Sequence, residues 1–180
     1  LRRFCDALGV EAAGTPVVTG RSDERLIRAE KAANSEGARK LGFGDPEPAL
    51  ERIRSGEAKA ALVLGHDAMD ADYLGGPEAL AGLETVVLLD SHQSTLVKAA
   101  HVVLPTRVPA EKHGTLTNHA GLVQRVVPAL EPAWDAWSEG ELLSLLGQAL
   151  GLEGFDGRWD AREVSKALAA SHPELAETAA

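Results

Sequence analysis

Two nearly unbroken apolar runs, Ala60–Leu64 (AALVL) and residues 85–89 (TVVLL), constrain the fold of this chain more than any other feature. A strand wetted on one face alternates apolar and polar residues, whereas a strand covered on both faces reads as a continuous apolar run, the habit of parallel sheets. Parallel neighbours need a crossover. Residues 77–83 (PEALAGL) supply a crossover helix between the two runs, and a right-handed connection is then strongly favoured. A second, shorter crossover at 94–100 (STLVKAA) leads into a third run, 101–104 (HVVL). Three β units alternating with helices predict an α/β layer fold.

The flanks read differently. Residues 2–8 suit the last turns of a helix closed by Gly9, and 15–19 (TPVVT) a short strand between Gly14 and Gly20. A helix is expected after Ser22 as cap, with Glu24 and Arg25 in its first turn and Leu26, Ile27, Ala29 and Ala33 as a narrow apolar face. Residues 48–54 (PALERIR) form another, stopped by Gly56. Past Pro105 and Pro109 the pattern shifts, and 115–117 can pair with 122–127 around the turn at 118–121 as a hairpin. Two helices follow, at 134–150 and 160–170, the second with Val164, Ala167 and Leu168 on one side. Trp134 and Trp137, three apart at the entrance of the first, read as core anchors against the hairpin. The chain thus divides into an α/β part at 1–110 and a hairpin with helical return at 111–180.

A chain of 180 residues can bury roughly 70% of its unfolded surface and needs no staples. With 44% hydrophobic and 25% charged residues it has the composition of a globular protein, and with only 4% aromatics its core must be Ala, Leu and Val. A formal charge of −9 argues against nucleic acid as partner, since backbone binding needs a concentrated basic surface. No run reaches the about 18 apolar residues of a membrane span, so direct membrane insertion is not expected. Cys5 is the sole cysteine, which excludes an internal disulfide and four-thiolate cluster ligation from this span alone. It reads as a small buried hydrophobe. A start at Leu1, without an initiator methionine, suggests a piece of a larger protein.

In an open parallel sheet, ligands sit beyond the carboxyl ends of the strands. Two such ends can be located, at Gly65, His66, Asp67 and Ala68 and at Asp90, Ser91, His92, Gln93, Ser94 and Thr95. An acid closing a strand is how dinucleotide folds hold a ribose, and Asp90 stands where that role needs it. Equally, Asp90 or Ser91 can cap the helix that follows. Neither a Gly-x-Gly-x-x-Gly helix opening nor a Gly-Lys-Ser/Thr triplet occurs, so a conventional NAD or ATP site is not expected. Asp67, Asp70 and Asp72 lack the glycine and distal glutamate of a calcium loop and read as a solvated acidic loop. Glu111 and His113 could act as general acid and base, or as ordinary residues of a surface turn.

The stretch 84–124 joins these pieces in a distinctive order: TVVLLD, SHQST, HVVLP, EKHGTLTN and GLVQ. It resembles the molybdopterin oxidoreductase superfamily, with its acid-ended strand, Ala-Asp-Val-Val-Leu-Pro strand, Glu-x-x-Gly-Thr segment and Asn-x-Glu-Gly-Arg-x-Gln hairpin. Upstream, residues 33–42 (ANSEGARKLG) resemble its Ala-Asn-x-x-Gly-Ala-x-x-Leu-Gly motif, and 132–137 (PAWDAW) its tryptophan-led helix. The resemblance implies a Rossmann-like parallel layer of the formate dehydrogenase and DMSO reductase central-domain type, with an appended hairpin and C-terminal helices. It also implies that Gly65, His66, Asp67, Asp90, Ser91 and Thr95 match turns that help hold the guanine dinucleotide half of molybdopterin.

This chain departs from the pattern at His101, where Asp is usual, at Ala120, where Glu is usual, and at Leu122, where Arg is usual. Losing the arginine removes a bidentate phosphate or carboxylate partner and puts an apolar side chain in its place. Those departures resemble the branch that keeps the fold without molybdenum, the large iron–sulfur subunit of NADH:quinone oxidoreductase, complex I. That resemblance implies a scaffold domain of an electron-transfer enzyme with no catalytic residue and no cofactor or metal of its own, the iron–sulfur clusters lying elsewhere in the parent chain. Its partners would be other subunits or domains of the complex, peripheral on the cytoplasmic side of the inner membrane. The alternatives are the central region of a molybdenum or tungsten oxidoreductase carrying molybdopterin guanine dinucleotide, and a freestanding nucleotide-binding or docking module.

Overall fold

The computed structural model describes residues 1–17, 19–23, 25–65, 75–132 and 134–176. At its centre lies a parallel sheet of β1 (Ala60–Leu64), β2 (Thr85–Asp90) and β3 (Val102–Pro105), in that spatial order. Adjacent residues of a strand face opposite sides, and Leu88 and Leu89 are 0% and 1% exposed. Both faces of β2 are therefore closed over, as its unbroken apolar run predicts. Val86 and Leu88 meet Leu80, Leu83 and Leu96 in the core. At the β3 edge of the sheet, Val102 and Val103 remain exposed.

The described parts of both crossovers carry less helix than the sequence suggests. Within the described residues each holds one 3₁₀ turn, Pro77–Leu80 and Thr95–Lys98, in place of an α-helix. Gly82 and the few residues before β3 leave no room for a propagated helix, so single plugs, Leu80 and Leu96, do the covering.

Upstream, α1 (Arg2–Ala7) and α3 (Glu47–Arg54) form as expected. The strand expected at 15–19 is reduced to isolated bridges, Gly14 to Gly44 and Thr19 to Glu30. Nor does the helix after Ser22 form, although Glu24 itself lies outside the described residues. The Asp23 carboxylate accepts the backbone N–H groups of Arg25, Leu26 and Ile27 at 2.7–2.9 Å, closing a tight side-chain turn instead. Asp competes with helical carbonyls in this way, and the narrow stripe offers little burial to oppose it: Leu26 is 90% exposed.

Helix α2 (Ser35–Lys40) starts at the next opportunity, after Asn34 in a left-handed conformation at φ 66°. The Asn34 side chain accepts the Thr117 N–H at 2.8 Å. Thr117 ends β4 (Gly114–Thr117), which pairs antiparallel with β5 (Val123–Val126) as the predicted hairpin. Its turn is held by Asn118, whose carboxamide oxygen accepts the N–H groups of Ala120 and Leu122 at 2.9 and 3.0 Å. Gly37 completes the docking, because a Cβ there would stand 2.6 Å from Asn34 Oδ1 and 2.8 Å from Thr117 Oγ1.

Helix α4 spans Glu139–Ala149 and does not begin at Trp134. Ser138 and Glu141 form a reciprocal capping box that fixes the start. Trp134 and Trp137 precede it and are 55% and 47% exposed, so they are not core anchors. Helix α5 (Ala161–Ser171) follows as expected, packed against β4, but with Val164 exposed and no residue of the helix fully buried.

Two consequences can be measured. Gly37→Ala should destabilise the chain by about 1–3 kcal/mol, read as a lower urea midpoint, because neither Asn34 nor Thr117 can retreat without breaking their bond. Asp160 accepts the N–H groups of Arg162 and Glu163 at the α5 N-terminus, and these bonds, that from Glu163 foremost, hold its carboxyl below the usual aspartate range. A depressed folded-state value gives stability above the unfolded pKa that is lost as pH falls through the folded one. Asp160→Ala should therefore reduce helical circular dichroism at neutral pH, and the two proteins should converge as pH drops below about 4.

Candidate functional site

Parallel register brings the carboxyl ends of the three strands level, pairing Leu64 with Leu89 and Asp90 with Pro105. The ladders continue one step beyond: Gly65 N–H donates to Leu89 O at 2.8 Å, and Thr106 N–H donates to Asp90 O at 2.9 Å. Gly65 has φ 78°, a turn conformation that side chains disfavour. Asp90 is 4% exposed and accepts the His92 N–H at 3.1 Å, closing the turn after β2. Ser91 Oγ lies 2.9 Å from His92 Nδ1.

Of the residues expected here, Gly65, Asp90 and Ser91 do gather at the strand ends, and Thr95 opens the following 3₁₀ turn on the surface. His66 and Asp67 lie outside the described residues, as do Asp70 and Asp72. The capping alternative is corrected: Ser94, not Asp90 or Ser91, occupies the N-cap of the turn, and it caps nothing with its side chain. Among the described residues, the sealed hydroxyl of Ser94 has no hydrogen-bond partner.

At the third strand end lies a constellation that sequence reasoning missed. Thr106 forms a parallel bridge to Trp137, and Arg107 N–H donates to Trp137 O at 3.1 Å. The Arg107 guanidinium donates from Nε to Ala136 O at 2.8 Å and pairs with Glu141 at 3.5 Å. Glu141 in turn accepts from Ser138 Oγ and N–H, both at 2.8 Å. The available signal was Ser138-x-x-Glu141, a capping-box spacing.

These groups decide which ligand chemistry the strand ends suit. A carboxylate, hydroxyls and turn amides can hydrogen-bond a ribose or a base edge. A dinucleotide also carries a diphosphate, which needs cations or a well-formed helix N-terminus. Among the described strand-end residues, the arginine, Arg107, is engaged with Ala136 and Glu141, and the element after β2 is a short 3₁₀ turn. Leu122, where the resemblance calls for arginine, stands 45% exposed in the hairpin turn. The described residues therefore do not fit the charged half of a pterin dinucleotide.

Other candidates are equally structural. Glu111 accepts the Val108 N–H at 3.0 Å, and Lys112, between it and His113, pairs with Glu139 at 2.7 Å. Cys5 is buried, and burial pushes its thiol pKa up, which disfavours the thiolate needed of a nucleophile or ligand. Among the described residues no three His, Cys, Asp or Glu side chains converge to hold a metal, and no helix is long and apolar enough to cross a membrane.

Residues 8–148 match the family model for the molybdopterin oxidoreductases. The chain is similar to the alpha subunit of the NADPH-Fe(3+) oxidoreductase of Geobacter sulfurreducens, 37% identical over 100 residues, which is 54% of this chain and 12% of the relative. It is also similar to a subunit of the NADH-quinone oxidoreductase of Escherichia coli K12, 31% identical over 114 residues, or 63% of this chain and 13% of the relative. An NADH-quinone oxidoreductase subunit of Salmonella typhimurium is 30% identical over the same length. The matched span is thus a small fraction of the length of these relatives.

Within the matched span, one departure from the expected motif has a physical account. His101 N–H donates to Val86 O at 2.9 Å, and His101 Nδ1 accepts the Val86 N–H at 3.0 Å, so its side chain adds a rung to the β2–β3 ladder. An aspartate carboxylate can accept the same N–H. His101→Asp should therefore leave stability within about 0.5 kcal/mol, whereas His101→Leu should cost about 1–2 kcal/mol in urea denaturation, because it strands a donor on buried Val86.

Proposed function

Since the chain belongs to the molybdopterin oxidoreductase family, we propose that it acts as a scaffold domain within a larger electron-transfer oxidoreductase of the NADH:quinone type. In this reading it holds a cluster-bearing part of the parent against neighbouring subunits and carries no redox centre of its own. Residues 1–110 supply the Rossmann-like layer of the formate dehydrogenase and DMSO reductase central-domain type, and 111–180 the hairpin and helical return. The parent would work at the cytoplasmic face of the inner membrane, passing electrons toward quinone, with its iron–sulfur clusters outside this span.

One observation carries the reading: the strand-end turns are engaged with the protein itself. Asp90 closes its own turn, Arg107 is clamped by Ala136 and Glu141, and half-exposed Leu122 stands where the resemblance calls for an arginine. The relatives named as subunits of NADH-quinone and NADPH-Fe(3+) oxidoreductases support it. Gly65, Asp90, Ser91 and Thr95 are then vestiges of a pterin-dinucleotide cradle, and in this reading so are His66 and Asp67, which lie outside the described residues.

The test is a calorimetric titration with guanosine diphosphate of the chain and of its Asp90→Ala variant. A scaffold should show no component of binding that Asp90→Ala removes. Saturable binding that disappears in the variant would contradict it and assign the chain to the central region of a molybdenum or tungsten enzyme.

A further inference from the structure

The turn that leads into α4 carries an uncovered aromatic and acidic surface. Trp134 and Trp137 are 55% and 47% exposed, and Leu130, just before them in the chain, is 59% exposed. Between the two tryptophans the chain reverses tightly: Ala136 N–H donates to Trp134 O at 2.7 Å, which puts Asp135 at the apex. Arg107 anchors the turn from the sheet side, its Nε donating to Ala136 O at 2.8 Å and its backbone N–H to Trp137 O at 3.1 Å. Ala136 and Ser138 are buried. The intervening side chains are thus presented on a pre-formed backbone, which spares a partner the cost of ordering it.

Charge identifies the partner. Residues 126–138 contain Glu131 and Asp135 but no lysine, arginine or histidine. The cations beside the turn are already paired, Arg107 with Glu141 and Lys112 with Glu139. Among the described residues, neither Glu131 nor Asp135 has an ion-pair partner. Exposed indoles attract cations to their π faces, and unpaired carboxylates add charge-assisted hydrogen bonds. We propose that this turn docks a basic segment of a partner protein, in which arginine or lysine side chains stand among apolar ones. The cations meet the two carboxylates and an indole face, while the apolar side chains cover Leu130 and the rest of the indole surface. Tryptophan is a common anchor of such interfaces. Isologous pairing with a second copy would instead set these carboxylates against themselves. The inference uses neither Asp90 nor a nucleotide, so it stands or falls separately from the scaffold reading.

The probe is a fluorophore-labelled synthetic peptide, Gly-Arg-Leu-Arg-Leu-Arg-Gly with both ends blocked, titrated with the chain and followed by anisotropy. At about 0.15 M salt, where exposed charges more than about 8 Å apart are largely screened, saturable binding is expected. Trp134→Ala should weaken it about threefold or more, and Glu131→Gln with Asp135→Asn about tenfold. Glu153 and Asp156 are exposed acids just past the far end of α4, and Glu153→Gln with Asp156→Asn should change binding less than about twofold. Absence of saturable binding to the unaltered chain would overturn the proposal. So would equal weakening by the two double variants, or undiminished binding by a Trp134→Ala variant whose circular dichroism is unchanged. A sedimentation coefficient that rises with concentration in the unaltered chain, but not in Trp134→Ala, would also overturn it, by giving the turn to a second copy.

Discussion

Everything in this structure hangs on the closing of both faces of β2. Leu88 and Leu89 point in opposite directions and neither reaches solvent, so the strand is fixed in position and in register, since a one-residue slip would exchange its two faces. From that register follow the level strand ends, the extra rungs at Gly65 and Thr106, and the site of the buried Asp90 carboxylate. The strand-end turns are thus consequences of packing before they are candidates for binding.

The motifs shared with the family have the same character. Asn34 and Gly37 of the Ala-Asn-x-x-Gly-Ala motif form a socket for Thr117, tying α2 to the hairpin by one hydrogen bond and one close approach. A second close approach braces the other end: a Cβ at Gly147 on α4 would overlap the ring of Phe155, which meets Phe4 edge-on at a centroid distance of 5.8 Å. A fold held by such contacts can retain its architecture while side chains outside them change. Leu122 and Ala120 sit in a turn that the Asn118 side chain satisfies, which leaves their own side chains unconstrained by folding.

How much of this was legible in the sequence depended on what stabilised each element. Continuous apolar runs revealed β1 and β2, and the turn at 118–121 revealed the hairpin, because burial and turn chemistry act there without competition. The helix expected after Ser22 failed because the Asp23 side chain captured three backbone donors that a helix would have used. At 134–138, tryptophan pulled the expected helix start upstream, although the Ser138 to Glu141 capping box marked the true one. The strand ends at Gly65 and Asp90 could be found from the apolar runs alone. The engagement of Arg107 could not, since it pairs with groups some thirty residues away that only the fold brings near.

The central claim is that the described strand-end residues, Gly65, Asp90 and Thr106, are held in place by the sheet itself. Amide hydrogen exchange on the unliganded chain tests this most directly, comparing Gly65 and Thr106 with Leu88 and Leu89. The account predicts that the turn amides exchange as slowly as those of β2, with opening free energies near that of global unfolding. Fast exchange at Gly65 and Thr106, with β2 still protected, would mean that the turns await a bound group, and would contradict it.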